Sequence, residues 1–282
     1  IVDPQDLDPD SRTIRGDVVS VNLSLIDNAG QPIVAESIDI LIDGVFEWRG
    51  FTDINGSMNA VLSVDSMRDV GPMTITAQFA GINGTTGLLG DWTWTRVIIL
   101  APTELEITAV TGSAIAGESV TFSGTLLDEH GQILFRDGNA AGGIIHLYID
   151  GVTVGPTYSK LSSASTGEWS ITYDLPLDVD YGLHTVTVIF LGGFTWVDPM
   201  GQGDSLNPEY YLPSSYSQEF NATQTSQVVL TTPPGEIDRN ELLLIEGMLT
   251  DGSGRVLPNR NLQVSMNGEF LTGLSVDENG TF

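Results

Sequence analysis

Apolar and polar residues alternate along much of this chain with a period of two. Val21, Leu23 and Leu25 are separated by Asn22 and Ser24. The same spacing recurs in Phe122, Gly124 and Leu126, and again in Ile245, Gly247 and Leu249. One apolar face on a period of two predicts half-buried strands of antiparallel sheets. No segment sustains a 3.6-residue period, so helices are not predicted.

The strands recur in a repeated order. Three segments open with Gly16-Asp17-Val18, Gly117-Glu118-Ser119-Val120 and Asn240-Glu241-Leu242. Each then runs to an acidic turn, Asp27-Asn28-Ala29-Gly30, Asp128-Glu129-His130-Gly131 or Asp251-Gly252-Ser253-Gly254. The two acids stand ten residues apart in each copy. A strand then ends in Asp43-Gly44, Asp150-Gly151 or Asn267-Gly268, the pairs that favour type I′ hairpins because both central residues need positive φ. A third turn follows at Asn55-Gly56, Thr166-Gly167 and Asn279-Gly280. The stretch Gly71–Gly81 matches Gly182–Gly192 without a gap, and the third copy stops before reaching it.

Short strands punctuated by Gly and Asn turns fit a β-sandwich. The fold class expected is all-β, as tandem immunoglobulin-like antiparallel β-sandwiches with the third one incomplete. The expected domains are 1–101, 102–223 with two loop insertions, and 224–282, the N-terminal part of a third sandwich. The links at Leu100–Thr103 and Asn221–Gln224 are short, which favours a semi-rigid rod. A half-sandwich would expose an apolar face, so the chain reads as a piece of something larger.

The order Gly117-Glu118-Ser119-Val120, Tyr148-Ile149-Asp150-Gly151, Gly167-Glu168-Trp169-Ser170, Gly182-Leu183-His184-Thr185-Val186 and Tyr211-Leu212-Pro213-Ser214 resembles bacterial and archaeal Ig-like repeats of large cell-surface proteins. These motifs are fold markers. The resemblance implies an adhesin arm, stalk, filament or S-layer component, or a spacer attached to an enzyme elsewhere. It implies an extracellular location and further Ig-like repeats of the same chain as partners.

Composition narrows the roles. Hydrophobic residues make up 41 % of the 282, enough for cores, and charged residues 17 %, too few for a disordered acidic tail. Acids outnumber bases 37 to 10, for a net charge of −27. Lys160 is the single lysine. Such a surface repels nucleic acid and anionic headgroups, and no stretch of eighteen apolar residues occurs, so neither nucleic acid nor direct membrane insertion is expected. It also suits high salt. The absence of cysteine excludes disulfides, zinc–cysteine sites and a thiol nucleophile. No nucleophile elbow, phosphate loop or dinucleotide fingerprint occurs. The three histidines, His130, His146 and His184, share no metal-ligand spacing. The expectation is therefore a non-catalytic protein with no cofactor, calcium being the one candidate.

Binding residues are expected in the second domain, whose insertions are Leu134–Gly143 and Gly193–Tyr210. In an immunoglobulin topology these loops share one end of the sandwich. Phe194, Trp196, Asp198, Tyr210 and Tyr211 could hold a glycan or a peptide of a cell-surface protein. The favoured expectation is that the insertions pack against the first domain and stiffen the joint. Calcium would use Asp6, Asp8, Asp10 and Asp17, which have oxygen-ligand spacing, although Ser11 replaces the expected glycine. Calcium at a domain junction would draw on acids such as Glu104, Asp128, Asp198 or Asp204. Arg15-Gly16-Asp17 spells an integrin-type tripeptide but sits at a strand-opening turn. Glycosylation sequons fall at Asn22, Asn55, Asn83, Asn221 and Asn279. Trp92 and Trp94 share a strand face, and like Trp169 they are expected to pack.

Overall fold

Aspartate and glycine set the turns that divide this chain into strands. Asp27 Oδ1 accepts the backbone N–H groups of Ala29 and Gln31, each at 2.8 Å, while Gly30 takes φ +77°. Asp53 repeats the device with Asn55 and Ser57, Asp128 with His130 and Gln132, Asp251 with Ser253 and Arg255, and Asp277 with Asn279 and Thr281. A short carboxylate satisfies two turn N–H groups, and a glycine three residues on supplies the left-handed conformation. The hairpins expected at Asp43-Gly44, Asp150-Gly151 and Asn267-Gly268 all have positive φ at both residues.

A computed structural model describes residues 11–82, 87–112, 114–136, 139–154, 159–193, 210–231 and 243–282. The first unit contains β1 (Arg12–Ile14), β2 (Val18–Ser24), β3 (Ser37–Ile42), β4 (Val45–Phe51), β5 (Ser57–Ser63), β6 (Gly71–Ile82) and β7 (Leu88–Leu100). One sheet has the order β1-β7-β6-β3-β4 and the other pairs β2 with β5. All these pairings are antiparallel except β1 on β7, which is parallel. Between the sheets lie Ile38, Ile40, Leu62, Met73, Ile75 and Ile99.

The second unit contains β8 (Thr103–Gly112), β9 (Ser119–Asp128), β10 (Phe135–Arg136), β11 (Asn139–Ala140), β12 (Ile144–Ile149), β13 (Val152–Thr153), β14 (Ser159–Leu161), β15 (Glu168–Asp174), β16 (Gly182–Phe190) and β17 (Ser214–Ala222). Its sheets are β15-β9-β8 and β13-β12-β16-β17, with β14 also on β12. They enclose Phe122, Leu126, Ile145, Leu147, Trp169 and Phe190. Trp169 packs as expected. The insertion after β9 forms the β10–β11 hairpin, with Leu134 buried beneath it.

The third unit contains β18 (Ser226–Leu230), β19 (Gly247–Asp251), β20 (Asn261–Met266) and β21 (Glu269–Ser275). β18 pairs β19, β20 pairs β21, and Thr281 bridges to Met248. Among the described residues there is no helix, and hence none long and apolar enough to cross a membrane. β7 and β8 are separated by two residues yet belong to different sheets.

The outward face of β7 departs from expectation. Its partners across β6 show that Thr93, Thr95 and Val97 face inward, opposite Ala77, Ile75 and Met73. Trp92 and Trp94 therefore point to solvent, and the expectation that they pack is corrected: Trp92 is 63 % exposed and Trp94 36 %.

Candidate functional site: the joint between repeats

The first unit ends where β7 runs into β8, and Ala101 at the crossing is buried in the second unit's core. Its N–H donates to Tyr210 O at 3.0 Å, and its carbonyl accepts from Leu212 N at 2.8 Å. The link is thus stitched to the segment that leads into β17. Thr103 Oγ1 adds a bond to Leu212 O.

Side chains clamp the same place. Arg15, the residue after β1, reaches across to the turn that follows β9. Its Nε and Nη2 donate to the two oxygens of Glu129 at 2.9 and 2.7 Å, and Nη2 also donates to Asp128 Oδ2 at 2.9 Å. The Arg15 side chain is only 8 % exposed and that of Asp128 4 %. Asp128 Oδ1 is already held by His130 N and Gln132 N, so one carboxylate both shapes its turn and receives the neighbouring unit's guanidinium. The fork on Glu129 and the single, nearly dry bond to Asp128 together fix orientation as well as distance. Burial works against the Arg15 charge, but the bonds from Glu129 and Asp128 outweigh it and raise the guanidinium further.

Two more contacts close the joint. His130 Nε2–H donates to Ser66 O at 2.7 Å. The ring of Tyr210 lies against Gly71, where a β-carbon would come within 3.3 Å of it. Tyr211 is buried, and its hydroxyl accepts from Phe135 N at 3.2 Å. Burial first, and the nearby Asp128 charge after it, push that hydroxyl up from its ordinary value. A cavity of about 510 Å³ remains beside Arg15, Val70, His130, Phe135 and Tyr210.

The next joint uses equivalent positions. The turn after β19, Asp251–Arg255, corresponds to Asp128–Gln132. It meets Val179–Tyr181, the residues before Gly182, as Arg68–Val70 precede Gly71. Arg255 Nε donates to Asp251 Oδ2 at 2.9 Å, while its Nη1 and Nη2 reach Asp180 Oδ1 and Val179 O, both at 3.3 Å. Arg260 Nη2 donates to Tyr181 Oη at 2.7 Å, with the guanidinium carbon 5.6 Å from the ring centroid. The arginine polarity is reversed between the joints: the first takes its cation from the preceding unit, the second from the following one. The second is also wetter: the Arg255 side chain is 43 % exposed, and exposed ion pairs contribute less than buried ones.

Of the expected binding residues, Tyr210 and Tyr211 lie in the first joint, whereas Phe194, Trp196 and Asp198 fall outside the described residues. So do Asp6, Asp8, Asp10 and Asp204 among the calcium candidates, while Asp17 is exposed at the turn opening β2. Among the described residues no three His, Cys, Asp or Glu side chains gather as a metal site. Asp128 does sit at a domain junction, where its cation is Arg15. Arg15-Gly16-Asp17 is a strand-opening turn, with Gly16 at φ +86° and its arginine committed to the joint. Asn22, Asn55, Asn221 and Asn279 are exposed, and Asn83 lies outside the described residues. The expected packing of the insertions reaches the joint through Phe135 and Tyr210, but the direct clamps are Arg15, Asp128, Glu129 and His130. The sequence marked that clamp only by an arginine at a place where the second unit has Ala116.

No family model matches the chain, and no curated protein matches it. Among solved structures, an I-band fragment of titin is 12 % identical with a TM-score of 0.47, the alignment covering 93 % of this chain and 78 % of that one. Fibronectin(III)-like modules of Clostridium thermocellum CbhA are 13 % identical with a TM-score of 0.29, over 76 % of this chain and 89 % of theirs. A tetra-tandem repeat from the extending region of a large adhesion protein is 16 % identical with a TM-score of 0.38, over 95 % of this chain and 64 % of that one. Sheet order and strand pairing in the chain itself assign the fold: it is a tandem array of immunoglobulin-like antiparallel β-sandwiches.

Proposed function

We propose that the chain is a non-catalytic extracellular spacer, a semi-rigid section of a large repeat-containing cell-surface protein, with units spanning 1–101, 102–223 and 224–282. The observation that carries this reading is the first joint. A spacer transmits position only if adjacent units keep one relative orientation, and flexible attachment would need neither Arg15 buried against Asp128 and Glu129 nor Ala101 bonded on both sides to the segment before β17. Similar placement of the second joint supports a rule of stacking that further repeats could follow. The corresponding turn of the first unit, Asn28–Gln31, is solvent-exposed. The net charge of −27 keeps such a rod from self-association.

The chain has no cysteine, so two introduced thiols can be spin-labelled without background. Labels at Asn28→Cys and Ser170→Cys, one in each of the first two units, should give a single narrow distance distribution. A broad distribution would remove the rigid-spacer reading. Antibody raised against the chain should label intact cells of its source, and labelling only after permeabilisation would remove the surface location.

A further inference from the structure

The two units share a fold but not an outer surface. β7 pairs Gly71 with Ile99 and β17 pairs Gly182 with Ala222, which places Trp92 and Trp94 of the first unit where the second carries Ser215 and Ser217. Counted from the type I′ turns, Phe46 corresponds to Thr153. Sandwich formation therefore requires none of these aromatic rings, and the register puts all three on one outward face. Trp94 stands in line with Thr76, Leu41 and Phe46, across β7, β6, β3 and β4. Trp92 stands in line with Gln78, Asp39 and Arg49. At about 4.8 Å between strands, the platform is about 14 Å wide.

Exposed tryptophan is costly in water, and here two lie two residues apart on the same strand face with amide and hydroxyl groups beside them. On the β3–β4 side of the face Arg49 Nη2 donates to Asp39 Oδ2 at 2.7 Å, so these charges satisfy one another and still offer exposed hydrogen-bonding groups. Flat rings flanked by such groups suit the apolar faces and equatorial hydroxyls of pyranose sugars. A chain with net charge −27 disfavours a polyanionic glycan. We infer that the outer face of β7, β6, β3 and β4 binds a neutral polysaccharide, with Trp92 and Trp94 as its stacking platform.

Affinity electrophoresis in gels containing hydroxyethylcellulose, xylan, galactomannan or laminarin tests this with the full chain. At least one polymer should retard the protein. Trp92→Ser with Trp94→Ser, the residues the second unit carries, should weaken retardation by at least about tenfold without shifting the thermal melt. Phe46→Thr should weaken it less, and Trp196→Ala should leave it unchanged. No retardation in any of the four polymers overturns the proposal. So does retardation that survives the paired substitution, or that is lost on Trp196→Ala alone. If sedimentation instead shows dimerisation that Trp92→Ser and Trp94→Ser abolish, with no polymer retained, the face belongs to a second copy of the chain and the proposal fails.

Discussion

The indole of Trp169 lies over Gly124, its direct partner across β9 and β15. A β-carbon at Gly124 would come within 2.7 Å of Trp169 Cζ2 and closer still to Glu106 O. The same pairing of large against small recurs in the third unit, where Gly247 and Phe282 exchange backbone hydrogen bonds and a β-carbon would strike the Phe282 ring. In the first unit Leu23 faces Met58, sharing the volume more evenly.

Gly124→Ala should therefore destabilise the second unit by about 2 kcal/mol through overpacking, as read from urea denaturation. Trp169→Ala should cost about 3–5 kcal/mol by leaving a cavity. Because the two sites share one volume, the double variant should lose less than the sum. Strict additivity would show that the Glu106 carbonyl, and not the indole, sets the cost of a side chain at Gly124.

Replacing Arg15 by alanine leaves the Asp128 and Glu129 carboxylates facing a partly dry joint. Removing one partner of a buried pair costs about 3–5 kcal/mol, and the turn N–H groups that still hold Asp128 should reduce this to about 2. The label pair at positions 28 and 170 should show a widened distance distribution. Arg15→Lys should fall between, since one ammonium cannot serve both carboxylates as the guanidinium fork does. An unchanged distribution in Arg15→Ala would show that the backbone bonds at Ala101 alone set the orientation.

His184 Nδ1 lies 2.6 Å from Asp150 Oδ2, and its Nε2 lies 2.7 Å from Asp180 O. Burial lowers its affinity for a proton, but the Asp150 and Asp180 bonds win and raise it above the ordinary histidine value. A raised value means the stabilisation is fully present below about pH 6.5 and is lost as pH rises through the folded value. The urea midpoint of the second unit should fall across that range. The slope should vanish in His184→Gln, and a slope that persists there would assign it to another group.

Asp251 behaves in the opposite sense. Burial would raise its carboxyl, but bonds from Ser253 and Arg255 bring it down to about 2. A depressed carboxylate stabilises the fold above its unfolded value near 3.8, and that contribution is lost as pH falls from there through about 2. Carboxyl carbon NMR should place the Asp251 midpoint near that value, and Ser253→Ala should raise it. A midpoint near 4 in the unaltered chain would contradict the contacts.

Strands and turns were legible because they answer to local rules. Period-two alternation at Val21–Leu25 and Phe122–Leu126 set which faces are buried, and Asp-Gly and Asn-Gly pairs set the hairpins. The burial of Trp169 was legible for the same reason: it follows a recurrent turn by two residues. The tryptophans on β7 were misread because alternation there is ambiguous. Trp92 and Trp94 share a face, but so do Thr93, Thr95 and Val97, and hydrophobicity pointed to the wrong set. Only the pairing with β6 decides that the threonines line the interior.

The amino-acid order by itself thus determined the all-β class, the repeating unit and its turn chemistry, since each depends on neighbours within a few residues. The tertiary structure alone decided that Arg15 meets Asp128 and Glu129, more than a hundred positions along the chain, and that Trp92 and Trp94 of the first sandwich face outward. Both depend on how separate sheets are brought together, and no local period carries that information.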